Sequence, residues 1–260
     1  MSNTFATQFF RKHIRHPRLY SYARRAMLGW QLLTRQPDDG DFAAFQHMKL
    51  PRDGVIIDIG ANGGQAAVAF SFLLPKMKIM SFEPNPAVWR DLDFVSKILG
   101  HRFSYQKIGL GPKSDTMKLY VPCAQGLPIT TRGSIDKSAA TQHCQTLAQQ
   151  LDLDVHVEET TVDIRTLDSL ALRPDAIKID VEGFESEVLK GMTQTLEQAR
   201  PVLMLESNAN DLSCQQFLKP LNYEFAYFDA DKGQLLPVKN NNIRNWFAIP
   251  AERAGDIINA

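Results

Sequence analysis

The sequence predicts an α/β domain: a mostly parallel, seven-stranded sheet with helices on both faces, preceded by a helical N-terminal extension. Three observations predict it. From residue 54 onward, apolar runs of strand length alternate with stretches of helical length, which is the pattern of successive β-α units. The first run, "VIIDIG", passes directly into a turn holding Gly60, Gly63 and Gly64. A chain of 260 residues with 44% hydrophobic and 22% charged residues is long enough for one well-buried core and short for two.

Taken in order, residues 1–36 stand apart. They contain Arg11, Lys12, Arg15, Arg18, Arg24, Arg25 and Arg35 and no Asp or Glu, with Phe9, Phe10, Tyr20, Tyr22 and Trp30 interleaved. Such a stretch fits an organelle-targeting peptide, a basic amphipathic helix touching anionic lipid or a charged carrier, or a helix packed on the domain with its charges in water. Residues 1–50 are expected to form this basic helical extension, and residues 51–260 the main domain. "GVIIDIG" (54–60) reads as a buried strand, followed by a helix from Ala61 to Leu74 that Pro75 ends. "KIMSFEP" (78–84) is the second strand, and a helix from Pro86 to Leu99 stops at Gly100. "FSYQKIGL" (103–110) is the third. An insertion at about 111–163 follows, with "TMKLYV" and "HVEETTVDI" as a hairpin-like strand pair around a polar loop and a helix from about Ser138. The alternation resumes with "AIKIDVEG" (176–183), a helix over Phe184 to Ala199, "PVLMLES" (201–207), a helix over Asp211 to Leu221, and the strands "YEFAYFD" and "NWFAIP".

Composition narrows function. With 29 Lys and Arg against 29 Asp and Glu, the whole-molecule charge gives no argument for nucleic acid as a partner. No apolar run approaches the roughly 20 residues of a membrane span, and no secretory-type apolar segment opens the chain, so a cytoplasmic location is expected. Cys123, Cys144 and Cys214 have no metal-knuckle spacing and an odd count, which favours buried free thiols.

The glycine turn then asks for a ligand. In a sheet of this kind ligands bind beyond the carboxyl ends of the strands, where strand order reverses. The dinucleotide fingerprint G-x-G-x-x-G is absent, because the spacing is Asp58-x-Gly60-x-Asn62-x-Gly64, and an NAD-dependent oxidoreductase fails on it. That spacing resembles the first motif of class I S-adenosylmethionine-dependent methyltransferases, with Asn62 in place of the middle glycine; Asn also tolerates the left-handed backbone. Glu83 ends the second strand, where a carboxylate can accept two hydrogen bonds from a ribose diol. Asn85 is either a ligand to the same ribose edge or a cap before Pro86. With Ala61 in the turn and Gly109 near the end of the third strand, the candidate cofactor set is Asp58, Gly60, Ala61, Asn62, Gly64, Glu83, Asn85 and Gly109.

Together, "DIGANGG", "SFEPNP", "TLDSL", "AIKIDVEGFESEVLKGM" (176–192) and "PVLMLE" make roughly residues 53–250 resemble the FkbM family of methyltransferases. The resemblance implies a Rossmann-like class I methyltransferase fold, S-adenosylmethionine as donor, and O-methylation of a hydroxyl on a sugar, polysaccharide or secondary metabolite. It leaves the first 50 residues and most of 123–156 without an inherited role.

The residues themselves suggest the chemistry. Asp180 falls at a strand end facing the expected pocket and Glu182 in the turn after it, so either could be the base that an alcohol needs as it is methylated. Asp180 could instead hold the donor's ammonium or a metal, and Glu182 could complement the helix dipole. Glu185 and Glu187 are expected in solvent, paired with Lys190. Glu206 and Asn208 end the next strand; with Asp180 they make an oxygen-rich set that would suit magnesium. Thr131, Arg132 and Ser134, with Glu206 and Asn208, are the candidate acceptor contacts. The expected partner is a small-molecule or carbohydrate hydroxyl, with peripheral membrane contact through the N-terminus as a further possibility to test. The rival from another class is a catalytically silent cofactor-binding scaffold docking through that basic segment.

Overall fold

Ile56, Ile57 and Ile59 are all buried, Ile56 in one apolar cluster and Ile57 and Ile59 in another, so the first strand is covered on both faces. That two-sided burial explains its nearly continuous apolar run, which only Asp58 interrupts. The computed structural model describes residues 17–124, 126–151, 154–238 and 243–258. In chain order its strands are β1 (Val55–Ile59), β2 (Lys78–Phe82), β3 (Phe103–Gln106), β4 (Gly109–Leu110), β5 (Asp115–Ala124), β6 (Leu127–Pro128), β7 (Val155–Arg165), β8 (Ala176–Ile179), β9 (Val202–Glu206), β10 (Tyr223–Asp229), β11 (Gln234–Pro237) and β12 (Asn245–Pro250). Its helices are α1 (Pro17–Thr34), α2 (Gln65–Leu73), α3 (Trp89–Leu99), α4 (Lys137–Leu151), α5 (Glu185–Lys190), α6 (Thr193–Gln198), α7 (Asp211–Leu218) and α8 (Ala251–Ile257).

The main sheet has the order β11-β10-β12-β9-β8-β1-β2-β3. From β9 to β3 every pairing is parallel, whereas β12 runs against both β9 and β10, and β11 against β10. The sheet therefore has eight strands rather than the seven expected, because Gln234–Pro237 folds back on β10 as an edge hairpin. Chain order runs outward from β1 through β2 to β3, then returns to β8 on the other side of β1. The reversal point lies between β1 and β8, and the ends of these two strands are where a ligand site is expected.

Other boundaries moved for local reasons. "FSYQKIGL" divides into β3 and β4, the latter joining a second, four-stranded sheet in the order β4-β7-β5-β6. The expected hairpin pair of the insertion is present as β5 and β7, antiparallel over ten residue pairs from Asp115↔Ile164 to Ala124↔Val155. The helix expected over 184–199 breaks into α5 and α6 at Gly191, where a Cβ would lie 1.9 Å from the Gly111 carbonyl oxygen.

The segment before β1 is drawn onto the sheet by aromatic packing. Phe42 and Phe45, from the 3-10 helix Gly40–His47, meet Phe70 edge-on at centroid distances of 5.2 and 5.3 Å, and Phe45 also meets Phe247. This anchoring carries Asp38 and Asp39 to the end of the sheet.

The glycine turn is tight because other chain segments press on it. Gly60 has φ +76, and a Cβ there would lie 1.8 Å from the Asp180 carbonyl oxygen, so β1 and β8 close together at their ends only with glycine. Gly60→Ala is expected to lose at least about 1–3 kcal/mol from backbone strain alone. A urea unfolding midpoint equal to the parent's would contradict it.

Candidate active site

In-register pairing sets the site's foundation. Asp58 on β1 lies beside Ser81 on β2 and Lys178 on β8. The Ser81 hydroxyl donates to Asp58 Oδ2 at 3.0 Å, and Lys178 Nζ sits 3.1 Å from Asp58 Oδ1. Lys178 also donates to the Gly60 carbonyl at 2.9 Å and lies 3.4 Å from Asp180 Oδ2. Although burial opposes its charge, the Asp58 and Asp180 carboxylates outweigh that and hold the Lys178 ammonium above its usual range. A charged pair this deep is tolerated because each charge has its partner in the next strand.

A cleft of about 400 Å³ opens beyond the ends of β1, β2 and β8. Its floor at the first turn is Gly60, Ala61 and Asn62, with Asn62 at φ +46 in the left-handed region that Asn tolerates. Glu83, at the end of β2, accepts the Asn62 N–H at Oε2 (2.7 Å) and the Asn85 N–H at Oε1 (2.8 Å), which ties the turn to the next strand. Burial pushes the Glu83 carboxyl up to about 7, against those two amides. Asn85 both lines the cleft and caps the following 3-10 turn through Oδ1, so the cap reading of Asn85 is realised. Gly109 lines the cleft too.

Two members of the expected cofactor set do not reach it. Asp58 is fully buried beneath the turn, its oxygens engaged by Ser81 and Lys178. Gly64 faces α3, where a Cβ would come within 2.9 Å of Val95. Both residues shape the turn from behind rather than lining the cleft.

The opposite wall is acidic. Asp180 follows β8, Glu182 sits in the next turn, and Glu206 ends β9; each offers a carboxylate oxygen within 4.8 Å of the others. Burial, then the Asp180 charge, pushes Glu182 up to about 7; the same causes and Glu182 itself push Glu206 up to about 8. Glu182 has φ +53, an uncommon conformation for a side chain of its size. Its turn is held by Glu185, whose Oε1 accepts the Val181 and Gly183 amides at 3.2 and 3.1 Å. Glu185 is thus buried and not the solvated acid expected, while Glu187 and Lys190 do form the expected surface pair.

Asn208 stands apart from the acceptor contacts and metal set expected of it. It does not line the cleft; it donates to the Glu206 carbonyl and accepts from the Asn210 amide, organising the turn before α7. The oxygen-rich set is therefore Asp180, Glu182 and Glu206, with Glu182 in place of Asn208. Thr131, Arg132 and Ser134 line the cleft from the insertion, although the Ser134 hydroxyl also accepts the Asp136 amide at 3.1 Å.

Several lining residues are not among the candidates that the sequence motifs offer. Lys178 stands in "AIKID" two residues before Asp180, and in a strand that spacing places both on one face, so the pair was findable. Asp38, Asp39, Thr130, Arg244 and Asn245 also line the cleft. Thr130 donates to Asn62 Oδ1 at 2.9 Å, joining the insertion to the glycine turn, and Arg244 and Asn245 hold Asp39. Only the tertiary fold brings these together.

Comparison with known proteins places the geometry in context. A family model described as Methyltransferase FkbM domain matches residues 58–255. The curated protein Hexuronic acid methyltransferase AglP of Haloferax volcanii is 29% identical over 152 residues, covering 58% of this chain and 55% of that protein. Methyltransferase 1 of Beauveria bassiana is 27% identical over 155 residues, covering 55% of this chain and 59% of its own length. This chain thus spans little more than half the length of each. Among solved structures, the Methyltransferase FkbM of Methylobacillus flagellatus KT superposes with a TM-score of 0.50 at 16% identity, over 76% of this chain and 44% of that one, a likeness of fold.

Proposed function

This chain belongs to the FkbM methyltransferase family, and from that premise we propose that it is an S-adenosylmethionine-dependent O-methyltransferase acting on a hydroxyl of a sugar-like acceptor. The observation that carries the reading is the pairing, in one cleft, of a glycine turn tied to Glu83 with the Asp180–Glu182–Glu206 wall. The cleft's size falls within the range of small-molecule sites, roughly 300–1,000 Å³. Glu83 uses one acceptor site of each oxygen on a backbone amide and keeps the others for a diol. The donor, when bound, supplies a methyl group made electrophilic by a sulfonium.

The chain's own residues do the rest. With the donor bound, its sulfonium would give up the methyl group to the acceptor oxygen as a thioether leaves, and a carboxylate of the acidic wall would take the hydroxyl proton. Glu182 is the base in this reading, because a carboxyl pushed up to about 7 accepts a proton more readily than an ordinary one and is still largely ionised just above neutrality. Arg132 and Arg244 line the same cleft and suit an anionic sugar, a reading supported by the name of the Haloferax volcanii relative. A divalent ion at Asp180, Glu182 and Glu206 is the competing mechanism. Activity abolished by chelator and restored by magnesium would replace the base with a metal.

Glu83→Ala is expected to weaken S-adenosylmethionine binding by about 1.5–3 kcal/mol in calorimetric titration. Its melting temperature is measured alongside, since Glu83 also holds two backbone amides. Unchanged affinity would remove Glu83 from the donor site, and tighter binding of NAD than of S-adenosylmethionine by the parent would reject the reading. A mass-spectrometric screen for a gain of one methyl on sugars, polysaccharide fragments and hydroxylated metabolites tests the acceptor. Donor binding without any methyl gain would favour the scaffold alternative.

A further inference from the structure

Helix α1 has two faces, and the function above uses neither fully. Its inner face is fixed to the domain. Arg24 and Arg25 pair with the buried Asp91 on α3 at 2.9 and 3.1 Å, Gln31 donates to the Gln65 carbonyl at 3.1 Å, and Leu28 is buried. The outer face is apolar and open. Tyr22, Met27, Trp30 and Leu33 are 67%, 62%, 66% and 78% exposed, and they are four of the six large hydrophobics that lie exposed among the described residues. With Ala26, also exposed, they follow helical spacing, so the exposure is one stripe rather than scatter.

Charge indicates what covers the stripe. All seven Lys and Arg of residues 1–36 lie without a single Asp or Glu, so that segment carries +7. The remaining residues hold 22 Lys and Arg (29 less 7) against 29 Asp and Glu, or −7, although the chain as a whole is neutral. Arg24 and Arg25 spend their charge inward, but Arg11, Lys12, Arg15 and Arg18 precede the stripe in sequence. Residues 11–16 and the side chain of Arg18 lie outside the described residues, so these four enter by their charge in the sequence alone. A helix face of Trp, Tyr, Met and Leu in an Arg-rich, acid-free stretch of sequence has the composition that settles at the boundary of headgroups and acyl chains. The negative remainder of the chain would orient the protein with this segment toward an anionic surface. Two copies paired stripe to stripe would instead bring two acid-free, basic stretches of sequence together.

We propose that the outer face of α1 is a peripheral docking surface for anionic lipid bilayers, with the cleft held on the domain above it. No helix among the described residues is long and apolar enough to cross a membrane, so docking is lateral.

The test uses the full chain, phosphatidylcholine vesicles with and without phosphatidylglycerol, and a Met27→Ser, Trp30→Ser, Leu33→Ser triple variant. None of the three side chains lines the cleft, and all three lie mostly exposed. The parent is expected to sediment with phosphatidylglycerol vesicles at low salt and to lose at least about tenfold in binding at high salt. The variant, with donor affinity intact, is expected to bind at least about tenfold more weakly. Trp30 emission should shift to the blue on vesicles, and Trp30→Phe should abolish that shift while the protein still binds. A parent that ignores anionic vesicles at low salt, or a triple variant that binds as well as the parent, overturns the proposal. So does a light-scattering dimer that the triple variant loses, which would give the face to a second copy.

Discussion

Lys178→Met is expected to destabilise the protein by about 3–5 kcal/mol, because it strands Asp58 as a buried charge with its cationic partner gone. Asp58 is fully buried at the centre of the sheet, with only the Ser81 hydroxyl left to it. The loss also frees the Gly60 carbonyl, which Lys178 satisfies at the turn. Urea unfolding followed by circular dichroism measures the effect as a lower midpoint at unchanged slope. Adding Asp58→Asn to the variant should recover a large part of the loss, since the stranded charge is then gone. A single variant within about 0.5 kcal/mol of the parent would mean that the pair is ornamental, as ordinary surface substitutions are.

This lysine also marks how far the sequence could be read. The alternation of apolar runs and helical stretches marks out the strands that build the cleft, though not their order in the sheet, because buried parallel strands are nearly continuous apolar runs. "DIGANGG" and "SFEP" located the two strand ends that Glu83 joins, since a glycine turn and an acid after a strand are local signals. The edge strand β11 was missed because "QLLP" is short and ends in proline, and an edge hairpin needs little pattern of its own. Glu185 was misplaced because helical spacing puts it beside Lys190, while the turn carrying Val181 and Gly183 folds back over it. Motif spacing puts Asp58 with the ligand contacts because it carries position along the chain and not depth. Asp38, Thr130 and Arg244 were beyond reach: the packing of Phe42 and Phe45, the docking of the insertion and the β12 register deliver them from distant segments.

Glu182→Gln and Asp180→Asn should separate the base from its neighbour. If Glu182 takes the acceptor's proton, Glu182→Gln keeps donor binding near the parent's and loses about 10²–10⁴-fold in methyl transfer, the share of a general base. The base works ionised, so kcat/KM of the parent should rise with pH through about 7 and fall away below it. The Asp180 charge raises both Glu182 and Glu206, so Asp180→Asn should lower both carboxyls and move the rising limb to more acidic pH, with most activity retained. A loss of about 10²–10⁴-fold in Asp180→Asn instead, with Glu182→Gln near normal, would transfer the base to Asp180. Full activity in both variants, with no effect of chelator, would leave alignment of the acceptor with the sulfonium as the sole source of rate and make the acidic wall structural. Glu206→Gln completes the set: burial and the neighbouring Asp180 and Glu182 charges push the Glu206 carboxyl up, so it favours the protonated, donating form more than an ordinary acid does. Its replacement should therefore change acceptor KM more than kcat, and a large fall in kcat alone would place the proton on Glu206.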